Sequence, residues 1–272
     1  MGISKQLLPV FDKPMIYYPL SVLMLARIRD IAIITTPVDA GQYQRLLGDG
    51  SQWGCSFTYV EQQAPEGLAQ AYPLCRDFLG GAPSAMLLGD NLFFGHGLPP
   101  LLELADGSRE GATVFAYQVA DPTQYGVLEF DSSGNRPVAI TEKPAVPKSR
   151  YAVCGMYFLD GSAPDRATEL TPSDRGELEI TSLLESYLED GLLKVITLGR
   201  GYAWLDVGTH GSLLDAGNFV RTLSERQGLQ IGSPDEIAFR NGWITPTDLA
   251  ERAARFSKSR YGQYLEQLCA EL

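Results

Sequence analysis

Two acidic residues at the ends of apolar runs are the first candidates for chemistry in this chain. Asp90 follows Ala85-Met-Leu-Leu88-Gly89 and precedes Asn91. Asp206 closes Tyr202-Ala-Trp204-Leu and precedes Val207-Gly208-Thr209. Each run reads as a strand with a carboxylate at its C-terminal end, the end where ligands bind in open α/β sheets. Two such carboxylates suit Mg²⁺, which takes one or two carboxylates and completes its shell with substrate phosphates and water. The plainer reading is a turn-capping Asp in each loop.

Cations and amides lie in three further segments. Ser4-Lys5-Gln6-Leu-Leu-Pro9-Val-Phe-Asp12-Lys13-Pro14 brackets an apolar stretch with two lysines. Each lysine could hold an anion as a point charge or sit solvated near the terminus. Glu61-Gln62-Gln63-Ala-Pro-Glu66-Gly67-Leu68-Ala-Gln70 follows a strand and opens a helix. Its Gln side chains offer the paired donors and acceptors a base edge requires, and Gly67 permits close backbone approach. It also fits an ordinary polar loop. Glu142-Lys143-Pro144 ends a strand, with Tyr125-Gly126 upstream and Cys154-Gly155 downstream. Its carboxylate could accept from sugar hydroxyls while its ammonium meets a phosphate, or the two could form a surface ion pair. In Arg175-Gly176-Glu177-Leu-Glu179-Ile-Thr181 the acidic residues suit a helix N-terminus, and Arg175 is the less expected member.

Alternating elements must position these groups. Strands are expected at 31–35, 57–60, 85–88, 113–117, 152–159 and 193–198. Helices are expected at 19–29, 39–47, 68–79, 99–105 and 180–188. Segments 126–130 and 137–142 read as a hairpin around a turn at 131–135. Such alternation predicts an α/β fold: a mostly parallel, Rossmann-like sheet flanked by helices, with a small β lobe. From Gly211 onward the pattern is helical. The division is therefore a core over 1–210 and a helical C-terminal part over 211–272.

The 272 residues are 44% hydrophobic and 20% charged, enough for one large globular unit. A net charge of −11 argues against binding nucleic acid through its phosphates. Phosphates would have to be met by a few local cations, loop amides or a metal. Cys55, Cys75, Cys154 and Cys269 are scattered and only His96 and His210 exist, which disfavours zinc. Reduced cysteines, no visible signal peptide and no membrane-length apolar run lead to an expectation of a cytoplasmic protein without membrane partners.

Taken in order, SKQLLPVFDKPMIYYPLSVLM, LLGDGSQWG, EGLAQAY, LLGDNLFFGHG, DPTQYGVLEF, EKPAVPKS, RGELEIT, LGRGYAWLDVGTH, RQGLQIGSPDEIAFRNGWI and YGQYL resemble the glucose-1-phosphate thymidylyltransferases over nearly the whole chain. The resemblance implies a nucleotidyltransferase fold and a reaction of dTTP with glucose 1-phosphate that yields dTDP-glucose and pyrophosphate. It implies Lys5 on the phosphates, Gln6 beside the nucleotide, Gln62 and Gly67 at the thymine, and Asp90 and Asp206 on Mg²⁺. Tyr125, Gly126, Glu142 and Val153 would line the sugar site, Lys143 and Arg175 would hold its phosphate, and Trp204 would floor it. Lys5, Asp90, Asp206 and Lys143 form the implied catalytic set. A homotetramer in the dTDP-rhamnose pathway is a further implication.

One departure matters. The family places a strand and a glycine-rich loop, L-A-G-G-x-G-T-R-L, just before the segment matched here by Ile3-Ser4-Lys5, whereas Met1-Gly2 stands in that position. The loop's amides and Arg would hold the triphosphate. Removing one preorganised donor costs about 10² to 10³ in rate. The expectation is therefore a chain impaired or inactive in catalysis, and poorly stable. Val207 and Gly211 are smaller departures beside Asp206. A non-catalytic sugar-nucleotide binder and a subunit that joins intact copies stand as alternatives.

Overall fold

A computed structural model describes residues 4–134 and 136–271. Met1–Ile3, Asn135 in the expected hairpin turn, and Leu272 lie outside the described residues. After a 3₁₀ turn at Lys5–Leu7 comes a short hairpin, β1 (Pro9–Val10) and β2 (Lys13–Pro14), which turns through Phe11 at φ +61°. Helix α1 (Tyr17–Leu25) leads into β3 (Asp30–Thr35), whose β-branched run suits a pleated surface. Thr36 caps α2 (Pro37–Leu47) by accepting from the Asp39 N–H, Pro37 presets its first turn, and Gly48 ends it at φ +61°. Strand β4 (Ser56–Glu61) pairs in parallel with β3.

The helix expected at 68–79 is broken into a 3₁₀ turn, α3 (Ala71–Leu74) and α4 (Arg76–Leu79). The break falls at Cys75, whose φ of −97° and ψ of 11° leave the helical range. There follow β5 (Ser84–Leu87), β6 (Asn91–Gly95), α5 (Leu98–Asp106), β7 (Ala112–Gln118), β8 (Gly126–Phe130), β9 (Pro137–Glu142) and β10 (Tyr151–Leu159). After these come α6 (Ala163–Glu169), α7 (Ile180–Glu189), β11 (Leu193–Leu198) and β12 (Tyr202–Asp206). The chain closes with α8 (His210–Gln227), α9 (Pro234–Arg240), α10 (Pro246–Arg255) and α11 (Arg260–Ala270). Capping boxes at Thr209/Ser212 and Thr245/Asp248 start α8 and α10.

The α/β class and the flanking helices agree with expectation, but the sheet is mixed rather than mostly parallel. In the large sheet β11, β7, β10, β8 and β9 lie side by side, and β5 adds to β10. Among the described residues only β11–β7 and β3–β4 are parallel pairs. The nine-residue β10 runs antiparallel to β5, β7 and β8 together. It can do so because its register shifts between Val153 and Tyr157, which bends it from one partner to the next.

Among the described residues four apolar clusters hold these layers. One packs Leu20, Met24, Ile31, Ile33 and Trp53 against Leu249, Ala253, Leu265 and Leu268 of the last two helices. The C-terminal helices thus share a core with β3 and α1. Arg252 lies over the Trp53 ring and pairs with Asp235, which is 0% exposed and also accepts from the Tyr261 hydroxyl. Two clusters cover the two faces of the large sheet, one under α7 and one under α5. The fourth seats the N-terminal hairpin on α8. Lys13 belongs to that junction. It is 2% exposed, donates to Asp12 and Gln230, and lies over Tyr18 and Tyr261. It is neither solvated nor free to meet a ligand, and burial lowers its pKa. No helix among the described residues is long and apolar enough to cross a membrane.

Candidate active site

The two strand-end carboxylates meet because β12 pairs antiparallel with β6, setting Asp206 opposite Asn91, the residue after Asp90. The Val207 N–H donates to the Asp90 carbonyl at 2.9 Å and locks the two ends together. Lys5 Nζ donates to Asp90 Oδ2 at 2.5 Å, and the Asn91 amide donates to Asp90 Oδ1. Burial pushes the Asp206 carboxyl up from its usual range, and the nearby Asp90 charge adds to the rise. The Lys5 and Lys143 ammoniums pull it back. Two carboxylates that repel each other, with the Lys5 ammonium on Asp90, make a candidate cation site. No three His, Cys, Asp or Glu converge among the described residues. A metal here would rest on two oxygen donors plus water and phosphate, the pattern of a hard divalent cation.

Trp204 is anchored from the same register. Its Nε1 donates to Asn91 Oδ1 at 2.6 Å, and its ring meets Tyr125 at 5.0 Å and Tyr117 at 6.2 Å between centroids. Tyr125 sits at the mouth of the β8–β9 hairpin, where its carbonyl accepts from the Lys143 N–H and Gly126 lies opposite Glu142. A side chain at Gly126 would strike the Thr181 methyl group, with Glu142 and Val153 close behind. Lys143 itself holds φ +40°, a costly backbone for a non-glycine residue, which turns its ammonium back toward Glu142 at 3.6 Å. Thr181 donates to Glu142 Oε2 at 3.1 Å, and Arg175 stands 3.7 Å from Glu142 and 3.3 Å from Glu179. Burial raises the Glu142 pKa; the Thr181 hydrogen bond opposes this, Glu179 adds to it, and the two cations oppose it.

Across the rim lies the loop carrying Gln62 and Gly67. Gln62 donates to Gln70 and Gln70 donates to Glu66, each at 2.5 Å. Gly67 has φ +110°, and a Cβ there would overlap the backbone of Leu178. The close approach lets Leu178 N–H donate to the Glu66 carbonyl (2.7 Å) and Ala69 N–H donate to the Leu178 carbonyl (3.1 Å). The Gln62 loop is thereby stitched to the 173–179 strap that carries Arg175. Gln6 completes the rim: it accepts from Ser4 and Tyr43 hydroxyls, and its Cγ covers Gly89.

The expected residues therefore fall in three linked groups. Lys5, Asp90 and Asp206 form the first. Trp204, Tyr125, Gly126, Glu142, Val153, Lys143 and Arg175 form the second. Gln6, Gln62 and Gly67 form the third. Asn91, Gln70, Thr181 and Glu179 were not singled out, yet each fixes one of these side chains. The one visible signal was position, since each sits within or beside a motif already marked.

A cleft framed by two carboxylates, three cations and a polar loop, on a mixed α/β sheet, defines a nucleotidyltransferase. The family model described as Nucleotidyl transferase matches residues 1–222. The chain is 58% identical over 267 residues to the glucose-1-phosphate thymidylyltransferase of Xanthomonas campestris pv. campestris (strain B100), covering 98% of this chain and 90% of that protein. It is 54% identical to the enzyme of that name from Neisseria meningitidis serogroup A, covering 98% and 92% respectively. Among solved structures it is similar to one described as a putative glucose-1-phosphate thymidylyltransferase from Bacillus anthracis in complex with a sucrose. That match has a TM-score of 0.75 at 40% identity, over 81% of this chain and 87% of that one. A UDP-glucose pyrophosphorylase shares the fold, with a TM-score of 0.67 at 24% identity over 80% of this chain and 90% of that one. The chain belongs to the glucose-1-phosphate thymidylyltransferase family, the sugar-phosphate nucleotidyltransferases of dTDP-sugar biosynthesis.

Proposed function

We propose that this site transfers a thymidylyl group from dTTP to glucose 1-phosphate. A phosphate oxygen of the sugar phosphate attacks the α-phosphorus, the bond to the β-phosphate oxygen breaks, and pyrophosphate leaves with the electron pair. The observation that carries this reading is the convergence of Lys5, Asp90 and Asp206 beside the Glu142–Lys143–Arg175 cluster. Lys143 and Arg175 hold the sugar phosphate, Glu142 accepts from its hydroxyls, and Tyr125, Gly126, Val153 and Trp204 shape the sugar pocket. Gln62, Gln6 and the Gly67 backbone read the thymine. Lys5 draws the nucleotide phosphates toward the acceptor, so two anions are aligned rather than held apart. Asp90 and Asp206 would hold Mg²⁺, which supplies charge neutralisation on the phosphates when bound. The protein acts in the cytoplasm as an oligomer, a tetramer by analogy with its family.

A second reading, in which the sugar-phosphate half binds dTDP-glucose without catalysis or serves within an oligomer of active copies, rests on the interlocked Glu142, Lys143 and Arg175 cluster. Pyrophosphate release from dTTP and glucose 1-phosphate with Mg²⁺, beside calorimetric titration with dTDP-glucose, separates these. Release that Asp90→Asn lowers ~10²-fold supports the transferase. Binding of dTDP-glucose with no release supports the binder. Neither binding nor release refutes both.

A further inference from the structure

Side chains of the loop that carries Gln62 form a directed chain of hydrogen bonds. Gln62 Nε2 donates to Gln70 Oε1, and Gln70 Nε2 donates to Glu66 Oε2, each at 2.5 Å. One end sets the direction. A primary amide can turn either its oxygen or its NH₂ to a neighbour, whereas an ionised carboxylate only accepts. Gln70 must therefore give its NH₂ to Glu66, which leaves its oxygen for Gln62. Gln62 in turn must give Gln70 an N–H. Its second N–H and its oxygen remain for a ligand, and among the described residues no other hydrogen bond ends on that amide.

The backbone beneath this relay is tied down. Leu178 N–H donates to the Glu66 carbonyl and Ala69 N–H donates to the Leu178 carbonyl, so the chain is held on both sides of Gly67. Ala69 is buried, and Gln70 ends the 3₁₀ turn Leu68–Gln70. Reversing the relay therefore means rotating its amides while the chain stays in place.

Direction matters for reading a base, a step that rests on the proposed role of Gln62 at the thymine. Thymine and uracil present an N3–H donor beside a C4 carbonyl. Cytosine presents an N3 acceptor beside a C4 amino group. The free edge of Gln62 suits the first, with its oxygen on N3–H and its N–H on the carbonyl. Cytosine seated in the same way sets acceptor against acceptor and donor against donor. Half a turn of the Gln62 amide would mend both contacts, but it also turns the Gln62 oxygen onto Gln70. Gln70 must then reverse and set its own oxygen against the Glu66 carboxylate. The mismatch at the far end of the relay is a repulsive element aimed at the wrong base.

We propose that Glu66 is a positioning residue for base choice. Through Gln70 it holds the Gln62 amide in the orientation that accepts a 4-keto pyrimidine nucleotide and rejects a 4-amino one.

The test is calorimetric titration of the full chain, with Mg²⁺, against dUTP and dCTP, which differ only along this edge. The parent should prefer dUTP. In Glu66→Gln the terminal amide can donate to a reversed Gln70, so the preference should fall about tenfold, the scale of one hydrogen bond to a charged group, chiefly through tighter dCTP binding. Adding Gln70→Glu to that variant puts an acceptor-only group directly against Gln62 and should restore the preference. A purely structural role for Glu66 gives no such rescue. The ratio of dTTP to dUTP affinity should hold throughout, since these two share the edge. A parent that binds both nucleotides without preference overturns the proposal. So does a preference that Glu66→Gln leaves within about twofold, or that Gln70→Glu fails to restore; these outcomes leave the transferase reading standing. A parent that binds neither nucleotide overturns both.

Discussion

Gly67→Ala isolates the stitch between the nucleotide-side loop and the Arg175 strap. At φ +110° the position is open to glycine alone, and the added methyl group would enter the Leu178 backbone. The variant has two ways out. It can keep the loop in place under strain, or it can lift the loop and lose the bonds Leu178–Glu66 (2.7 Å) and Ala69–Leu178 (3.1 Å). Each lost bond costs about 1 kcal/mol net, and the backbone strain costs about 1–3 kcal/mol. The cheaper route governs, so the expected loss is about 1–2 kcal/mol. Urea unfolding measures the loss, and hydrogen exchange tells the routes apart: lifting exposes the amides of Ala69 and Leu178, whereas strain leaves them protected. Because Gln62 and Gln70 move with the loop, affinity for dTTP should fall in the same variant while glucose 1-phosphate affinity changes less. A variant within about 0.5 kcal/mol of the parent, with both amides still protected, would refute the argument that this contact requires glycine.

Further outcomes follow from the same site and core. Burial raises the Glu142 pKa above its unfolded value, so the stability this group contributes is present at low pH and is lost as pH rises through its folded pKa. Glu142→Gln should remove that part of the pH slope in a series of denaturation curves and weaken binding of glucose 1-phosphate; an unchanged slope would count against burial as the cause. Trp204→Phe leaves the Asn91 carbonyl oxygen unpaired in a residue 1% exposed, with an expected cost of about 1–3 kcal/mol by chemical denaturation. Arg252→Met leaves the Asp235 carboxylate without its cation at 0% exposure. That should cost about 3–5 kcal/mol, and adding Asp235→Asn should recover part of it, which a double-mutant cycle reads directly.

The candidate site residues stood out in the chain because they sit at strand ends and loops with distinctive neighbours. Asp90 after an apolar run, Glu142-Lys143 after a hairpin strand and Arg175 before an acidic turn each stand out from their surroundings. Their segments occur in one order over nearly the whole chain, which is what the family likeness rests on. The strands at 126–130, 137–142 and 193–198 followed from alternation and β-branching alone, since both are local properties. Strand β6 over Asn91–Gly95 escaped notice, because its glycine and its proximity to Asp90 read as a loop.

What tertiary structure decided are the pairings between distant segments. Sequence cannot tell that β6 and β12 lie side by side, and only that pairing brings two distant aspartates to one place. It cannot tell that Lys13 is enclosed by Tyr18, Tyr261 and Gln230, since those partners arrive from residues up to 261. The run Ala85–Leu88 is apolar enough for a core strand, yet it lines an open cleft, because burial depends on which strand lies beside it. Residue type sets what a side chain can do, and the register of distant strands sets what it meets.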